Sequence, residues 1–205
     1  MAEEKKKAPR TQLNRDDWIR AAIEVMIDSN VDQVRVEGIA RELDVSKGSF
    51  YWHFRNRDDL LEAILDLWIH EATVRVDERV LRRAAGPAER LFLFLSLPLS
   101  SKRASKASDL ELAILDWARR SRMAEDAVSK VDQIRVEQLV RQFKQLGFPA
   151  DQSEFRAHTA YAFLRYIAQR RDLSLPKKME MTVQIHQGLI NASKASMFSP
   201  VKAES

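Results

Sequence analysis

Helical spacing runs through almost the whole of this chain. Apolar residues recur every three or four positions, and no stretch alternates apolar with polar for long enough to form a strand. That periodicity restricts the chain to an all-α architecture in which each helix hides one stripe against its neighbours. Five glycines and six prolines among 205 residues leave room for long helices, and a hydrophobic share of 45% supplies a core. The length fits one large domain, or a small one joined to a larger.

Capping signals mark the elements. Asn14, with Asp17 three residues on, opens a first helix whose inner face carries Trp18, Ala22, Val25 and Met26, and Asn30 reads as a left-handed stop. A short helix over 36–43 hides Val36, Ile39, Ala40 and Leu43; a turn at Asp44 and Val45 follows, and Ser46 caps a third helix that closes at Phe54. Asn56 and Asp59 open a long fourth helix with the stripe Leu60, Leu61, Ile64, Leu65, Trp68, Ala72, Val76 and Val80, ended by Gly86-Pro87. Segment 91–97 is apolar enough to be buried on all sides, and 100–107 reads as a flexible Ser/Lys/Arg loop. Further helices start at a Ser108–Glu111 capping box, near Ala124, at an Asp151–Glu154 capping box, and after Pro176.

The third helix is the informative one. With Phe50 at zero and 100° per residue, Phe54 falls near 40°, so both rings face inward. Gly48 and Trp52 lie opposite, flanked by Ser49 and Tyr51. From Val45 to Arg57 there is no acid, while Lys47, Arg55 and Arg57 bring positive charge and His53 can add to it. Exposed aromatics rimmed by bases suit a nucleic-acid surface. Gly48 admits close backbone approach, Lys47 and Ser49 can meet base edges, and Tyr51 and Arg57 suit phosphate. The alternative is that Trp52 packs under the first helix and the bases are merely solvated.

The run 34–65 resembles the tetracycline-repressor (TetR) family through Ile39-Ala40, Val45-Ser46-Lys47-Gly48, Tyr51-Trp52-His53-Phe54, Arg57 and Leu60-Leu61. With the first helix, the resemblance covers about a third of the chain; the rest is similar only in length and helical layout. It implies an all-α fold with an N-terminal three-helix helix-turn-helix domain that binds DNA, and a larger helical domain for ligand binding and dimerisation. Expected divisions are a basic arm over 1–13 (Lys5, Lys6, Lys7, Arg10), the DNA-binding domain over 14–60, the effector and dimerisation domain over 61–198, and a polar tail over 199–205. The implied partners are double-stranded palindromic operator DNA, a second copy of the chain, and a small-molecule effector that releases the DNA. Tyr51, His53 and Arg57 would hold phosphates; Lys47, Ser49 and Trp52 would approach bases. Two positions depart from the family pattern. Arg35 stands where a capping Thr is usual and can reach phosphate itself, and Asp44 replaces the usual turn Gly and brings negative charge towards the DNA.

For the rest of the chain the family predicts dimerisation through helices over about 151–171 and 177–196. Phe155, Ala162, Phe163, Tyr166 and Ile167 read as the core stripe of the first. Ala157, Ala160, Tyr161, Leu164 and Ala168 read as a second stripe facing the partner, joined by Val183, Leu189 and Ile190. Both stripes could instead serve one chain's core. Trp68, Phe92, Phe94, Trp117, Phe163 and Tyr166 are candidates for a ligand pocket. No cofactor and no metal is expected: there is no cysteine, and His70, His158 and His186 have no ligand spacing. No glycine-rich phosphate loop or nucleophile grouping suggests an enzyme; a helical adaptor without DNA binding is the main alternative. The charged N-terminus and the lack of a long apolar run lead us to expect a cytoplasmic protein.

Overall fold

The computed structural model describes residues 13–99 and 102–191. Among them are ten α-helices, two 3₁₀ turns and no strand. The basic arm, the tail from 199 and residues 100–101 lie outside the described residues. The chain divides into two compact units at Leu65/Asp66, inside the fourth helix rather than at 60/61. Among the described residues, no helix is long and apolar enough to cross a membrane.

The N-terminal unit contains α1 (Arg15–Asp28), a 3₁₀ turn (Val31–Gln33), α2 (Val36–Glu42), α3 (Lys47–Phe50) and the start of α4 (Arg57–Ala72). Asn14 and Asp17 form the expected reciprocal box: the Asn14 side chain accepts from the N–H groups of Asp16 and Asp17, and Asp17 accepts from that of Asn14. Trp18, Ala22, Met26, Ile39, Phe50, Phe54, Leu60 and Ile64 are buried. Asn30 is not the left-handed stop. Its backbone is extended, and its side chain accepts from the Asp32 N–H to begin the 3₁₀ turn.

The left-handed residue is Asp44, at φ 52°. Around it the Val45 N–H donates to the Ala40 carbonyl at 3.0 Å and the Asp44 N–H to that of Arg41 at 3.2 Å. This bond pair closes a helix with a Schellman motif, a position where glycine avoids the Cβ clash. Asp tolerates it at some cost.

The second unit holds the rest of α4, then α5 (Val74–Arg83), α6 (Pro87–Ser96), a 3₁₀ turn (Leu97–Leu99), α7 (Lys102–Ala118), α8 (Arg122–Gln145), α9 (Ala150–Gln169) and α10 (Leu175–Asn191). The single helix expected over 60–80 is broken at Thr73. There the hydroxyl donates back to the Ile69 carbonyl at 2.6 Å, and the Arg135 Nε takes the Ala72 carbonyl from outside at 3.3 Å. A back-bonding Thr and an inserted donor are both established causes of helix bending. Segment 102–107, expected as a loop, is the first part of α7, so Ser108 lies inside that helix and does not cap it. Its Lys, Arg and Ala residues are good helix formers. Pro149, not Asp151, precedes α9, and no side chain caps that end. α6 is two-sided rather than buried all round: Leu91, Phe94 and Leu95 are buried, while Phe92 and Leu93 are only partly so. α8 ends as expected, with Gly147 at φ 85°.

Glu111, placed in a cap by its spacing, anchors an ion-pair cluster instead. Its carboxylate takes both terminal nitrogens of Arg135, at 2.9 and 2.7 Å, and Arg165 at 2.6 Å; Arg165 also lies 3.7 Å from Asp132, which accepts from the Tyr161 hydroxyl. α7, α8 and α9 are thereby tied together. Burial pushes the Glu111 carboxyl up, but the two guanidiniums outweigh it and hold the group below its ordinary range. Burial drives the Tyr161 hydroxyl up to about 12.

Candidate nucleic-acid interface

The helix-turn-helix is built from the inside out. Phe50 is fully buried, its ring edge-on to Trp18 and stacked on Phe54, with both centroid distances 5.3 Å. The aromatic packed against the first helix is therefore Phe50, on Trp18, and not Trp52. Trp52 is 87% exposed and Tyr51 55%, on a segment whose other side is core. Exposed aromatic surface of this kind marks an interaction site.

α3 is shorter than expected. Four residues are regular helix, and the chain continues as turns in which the His53 and Phe54 N–H groups both donate to the Phe50 carbonyl. Ser46 has the extended backbone of an N-cap, yet its side chain makes no capping bond. Arg35 precedes α2 in the same way, exposed and without a side-chain cap, so the departure from Thr leaves that helix start uncapped. Gly48 is exposed, and a Cβ there would meet only Ser46 Oγ, at 3.7 Å. Nothing inside the domain demands glycine at this position. Ser49 and His53 are partly buried.

Three of the basic residues are engaged, Arg55 with Asp59 at 3.4 Å. The Arg57 Nε donates to the Val34 carbonyl at 2.6 Å and its terminal nitrogen to that of Val31 at 2.5 Å, fastening the start of α4 to the loop before α2. Lys47 donates to the Glu37 carboxylate across α3 and α2. The pair reinforces itself: the bond to Lys47 lowers the Glu37 pKa, and the bond to Glu37 raises that of Lys47. Glu37, Ala40, Arg41, Asp44, Val45, Ser46 and Lys47 line an open concavity of about 430 Å³. Glu37 and Arg41 escaped the sequence reading. Glu37 looked like an ordinary acid in a helix's first turn, and no local spacing links positions 37 and 47. At the start of α4, Asn56 accepts from the Asp59 N–H, while Asp59 accepts from Arg55 rather than Asn56, shifting the expected box by one residue.

In the second unit the candidates separate. Phe94 and Phe163 share one core cluster, which does not include the buried Trp68 and Trp117. Phe92 is half-buried, edge-on to His186 at 5.4 Å, and Tyr166 is 44% exposed with its hydroxyl bonded to Arg170. The two expected stripes of α9 are mixed: Phe163 and Ile167 of the core stripe are buried, and residues of the second stripe are buried with them. Ala157 and Ala160 are fully buried and Tyr161 nearly so, as is Leu189 of α10, whereas Phe155 and Tyr166 face outward. Those four small and apolar residues fill the chain's own core. Leu164, Ala168, Val183 and Ile190 keep intermediate exposure.

Comparison with known proteins agrees with this geometry. Residues 19–64 match the family model described as bacterial regulatory proteins, tetR family. The class A tetracycline repressor protein of Escherichia coli is 34% identical over 61 residues, 30% of this chain and 28% of that protein. Each of the first curated relatives is matched over less than half of its length. The fold as a whole is shared more widely. A transcriptional regulator from a Rhodococcus species superposes with a TM-score of 0.69 at 21% identity, covering 87% of this chain and 96% of that one. The regulator FadR from Bacillus subtilis, solved with stearoyl-CoA, gives 0.60 at 16% identity, covering 88% and 100%. Residues 19–64 thus carry the N-terminal domain of the tetR family of bacterial regulatory proteins, and the fold of the chain is that of solved transcriptional regulators.

Proposed function

We propose that this protein is a transcriptional regulator that binds a palindromic operator as a homodimer and leaves it when a small-molecule effector occupies the second unit. The observation that carries the DNA-binding part is Trp52 and Tyr51 standing exposed on the reverse of a buried Phe50–Phe54 stack. Gly48, Ser49 and Trp52 meet the groove. Lys47 approaches bases, Tyr51 and His53 hold phosphates, and Arg35 adds a phosphate contact. Arg57 contributes by position: with its donors on the Val31 and Val34 carbonyls, it fixes α4 against the loop before α2 and acts on DNA only through that geometry. For dimerisation, the outward face of α9 (Phe155, Ala162, Tyr166) meets a second copy, with Val183 and Ile190 of α10 beside it. The stearoyl-CoA complex of the B. subtilis neighbour supports an effector in the second unit; Trp68, Phe92, Phe94, Trp117 and Phe163 are its candidate lining.

The test is binding of the full chain to duplexes from its own upstream region over a range of salt. The expected result is a steep linear fall of log affinity with log salt, weakened by Trp52→Ala and centred on an inverted repeat. Binding to no fragment at low salt, or salt-independent binding, would overturn the proposal.

A further inference from the structure

We propose that Lys47 and Glu37 act together as one reading unit for a G·C base pair, the ammonium on guanine and the carboxylate on the cytosine amino group. The inference rests on the DNA-binding role proposed above. Its starting point is a contact between two helices: Lys47, the first residue of α3, donates to Glu37 of α2. Both side chains are about half exposed, at 50% and 59%, so the pair serves no buried core. It lines the concavity beside Gly48, where the backbone has no side chain of its own to hold a ligand off.

The chemistry of the base edge matches this pair. In the major groove guanine offers two acceptors, O6 and N7, and cytosine an amino donor, N4. Guanine O6 and cytosine N4 are hydrogen-bonded to each other, so acceptor and donor lie about 3 Å apart. A contacting ammonium and carboxylate carry the opposite pattern at similar spacing: Lys47 can donate to O6 and N7 while Glu37 accepts the second amino hydrogen of cytosine. A T·A pair fits less well, because thymine offers one acceptor, O4, next to an apolar methyl group. The pairing also accounts for an acid on a surface that must approach phosphates. A lone carboxylate there would be repelled, whereas one joined to an ammonium adds no net charge.

The experiment is selection from a randomised duplex library with the full-length wild type, Glu37→Gln, Lys47→Gln and the double variant, followed by affinity and salt titration on the selected site. Melting curves confirm that each exposed substitution leaves the fold intact. Wild type should select a G·C pair at one position, and all three variants should lose that same preference, by roughly five- to tenfold. The double variant should lose no more than either single one, and its salt slope should equal that of wild type because its net charge is unchanged. Uniform tightening by Glu37→Gln with an unaltered selected site would show that Glu37 merely repels DNA, and would overturn the proposal. So would single variants that change different positions. A wild type that enriches no sequence would overturn the DNA-binding reading itself.

Discussion

Replacing Gly48 by alanine should move stability and DNA affinity in opposite directions. In a helix interior Ala is favoured over Gly by about 0.8–1.0 kcal/mol. Position 48 is the second residue of a four-residue helix, so roughly half of that, about 0.5 kcal/mol, is the reasonable gain. Nothing offsets it: the new Cβ would lie 3.7 Å from Ser46 Oγ, an ordinary contact, and the residue is exposed. For a chain of this size the melting temperature should rise by about 1–2 °C. On DNA the same methyl group would lie between the α3 backbone and the groove wall, and the loss of close approach should weaken binding about tenfold or more, equivalent to about 1.4 kcal/mol. Thermal melts by circular dichroism and fluorescence anisotropy on one operator duplex, in one buffer, measure both effects. A variant that is stabilised but binds as tightly as wild type would show that this face of α3 does not meet the groove. A destabilised variant would refute the helical account of position 48.

Further outcomes follow from the turn, the ion cluster and α9. Asp44→Gly should stabilise by about 0.5–1 kcal/mol by relieving the left-handed conformation; Asp44→Asn keeps a tolerated side chain and removes the charge, so a gain in DNA affinity common to both variants in salt titrations would isolate electrostatics. The Glu111 carboxyl is held below its ordinary 4.5 in the folded chain, so folding favours its ionised form. That contribution is complete above about pH 4.5 and is lost as pH falls through the lower folded value. Glu111→Gln should cost about 3 kcal/mol at neutral pH, with Arg135 losing its counter-charge and Arg165 left with Asp132 alone, and should flatten the acid limb of a urea-denaturation series. Tyr166→Glu should shift the chain towards monomer in sedimentation velocity while leaving the melting temperature of the monomer nearly unchanged, because the ring is 44% exposed.

The N-terminal unit was the more legible from sequence because its signals are local. Asn14 and Asp17 sit one turn apart, Phe50 and Phe54 share a face by spacing alone, and the turn between α2 and α3 falls where the hydrophobic stripe ends. Local detail differed at Asn30, at Ser46 and in the length of α3, and contacts between distant segments were missed: Glu37 with Lys47, and Arg57 with the Val31 and Val34 carbonyls. In the second unit those contacts decide the structure. Thr73 carries no strong breaking signal, and the α4–α5 break depends on Arg135, sixty-three positions away, taking the Ala72 carbonyl. Ser108 and Glu111 have capping-box spacing, but Glu111 is drawn into the cluster of guanidiniums, and helix-forming residues before Ser108 extend α7 past it.

The choice of buried face on α9 has the same origin. Two apolar stripes of similar strength run along this helix, and hydrophobicity alone gives no reason to bury one rather than the other. The arginines do. Arg165 reaches Glu111 and Asp132, and the buried Arg156 donates to the Leu189 carbonyl at 2.8 Å in the last turn of α10, its guanidinium 4.2 Å from the Phe148 ring centre. With Arg156 at zero on a helical wheel, Ala160, Phe163 and Ile167 fall within about 40° of it, while Phe155, Ala162 and Tyr166 cluster near 260°. Rotating the helix to bury the aromatics would withdraw both guanidiniums from these partners and leave the Glu111 carboxylate facing Arg135 alone. Removing one member of a buried ion cluster costs several kcal/mol, about as much as burying one or two large side chains gains. The inward face is further favoured by Ala157 and Ala160, whose small side chains let helix backbones approach closely. What remains outside is aromatic, and in a dimeric regulator that surface, rather than the alanine stripe, is the one available to a second copy.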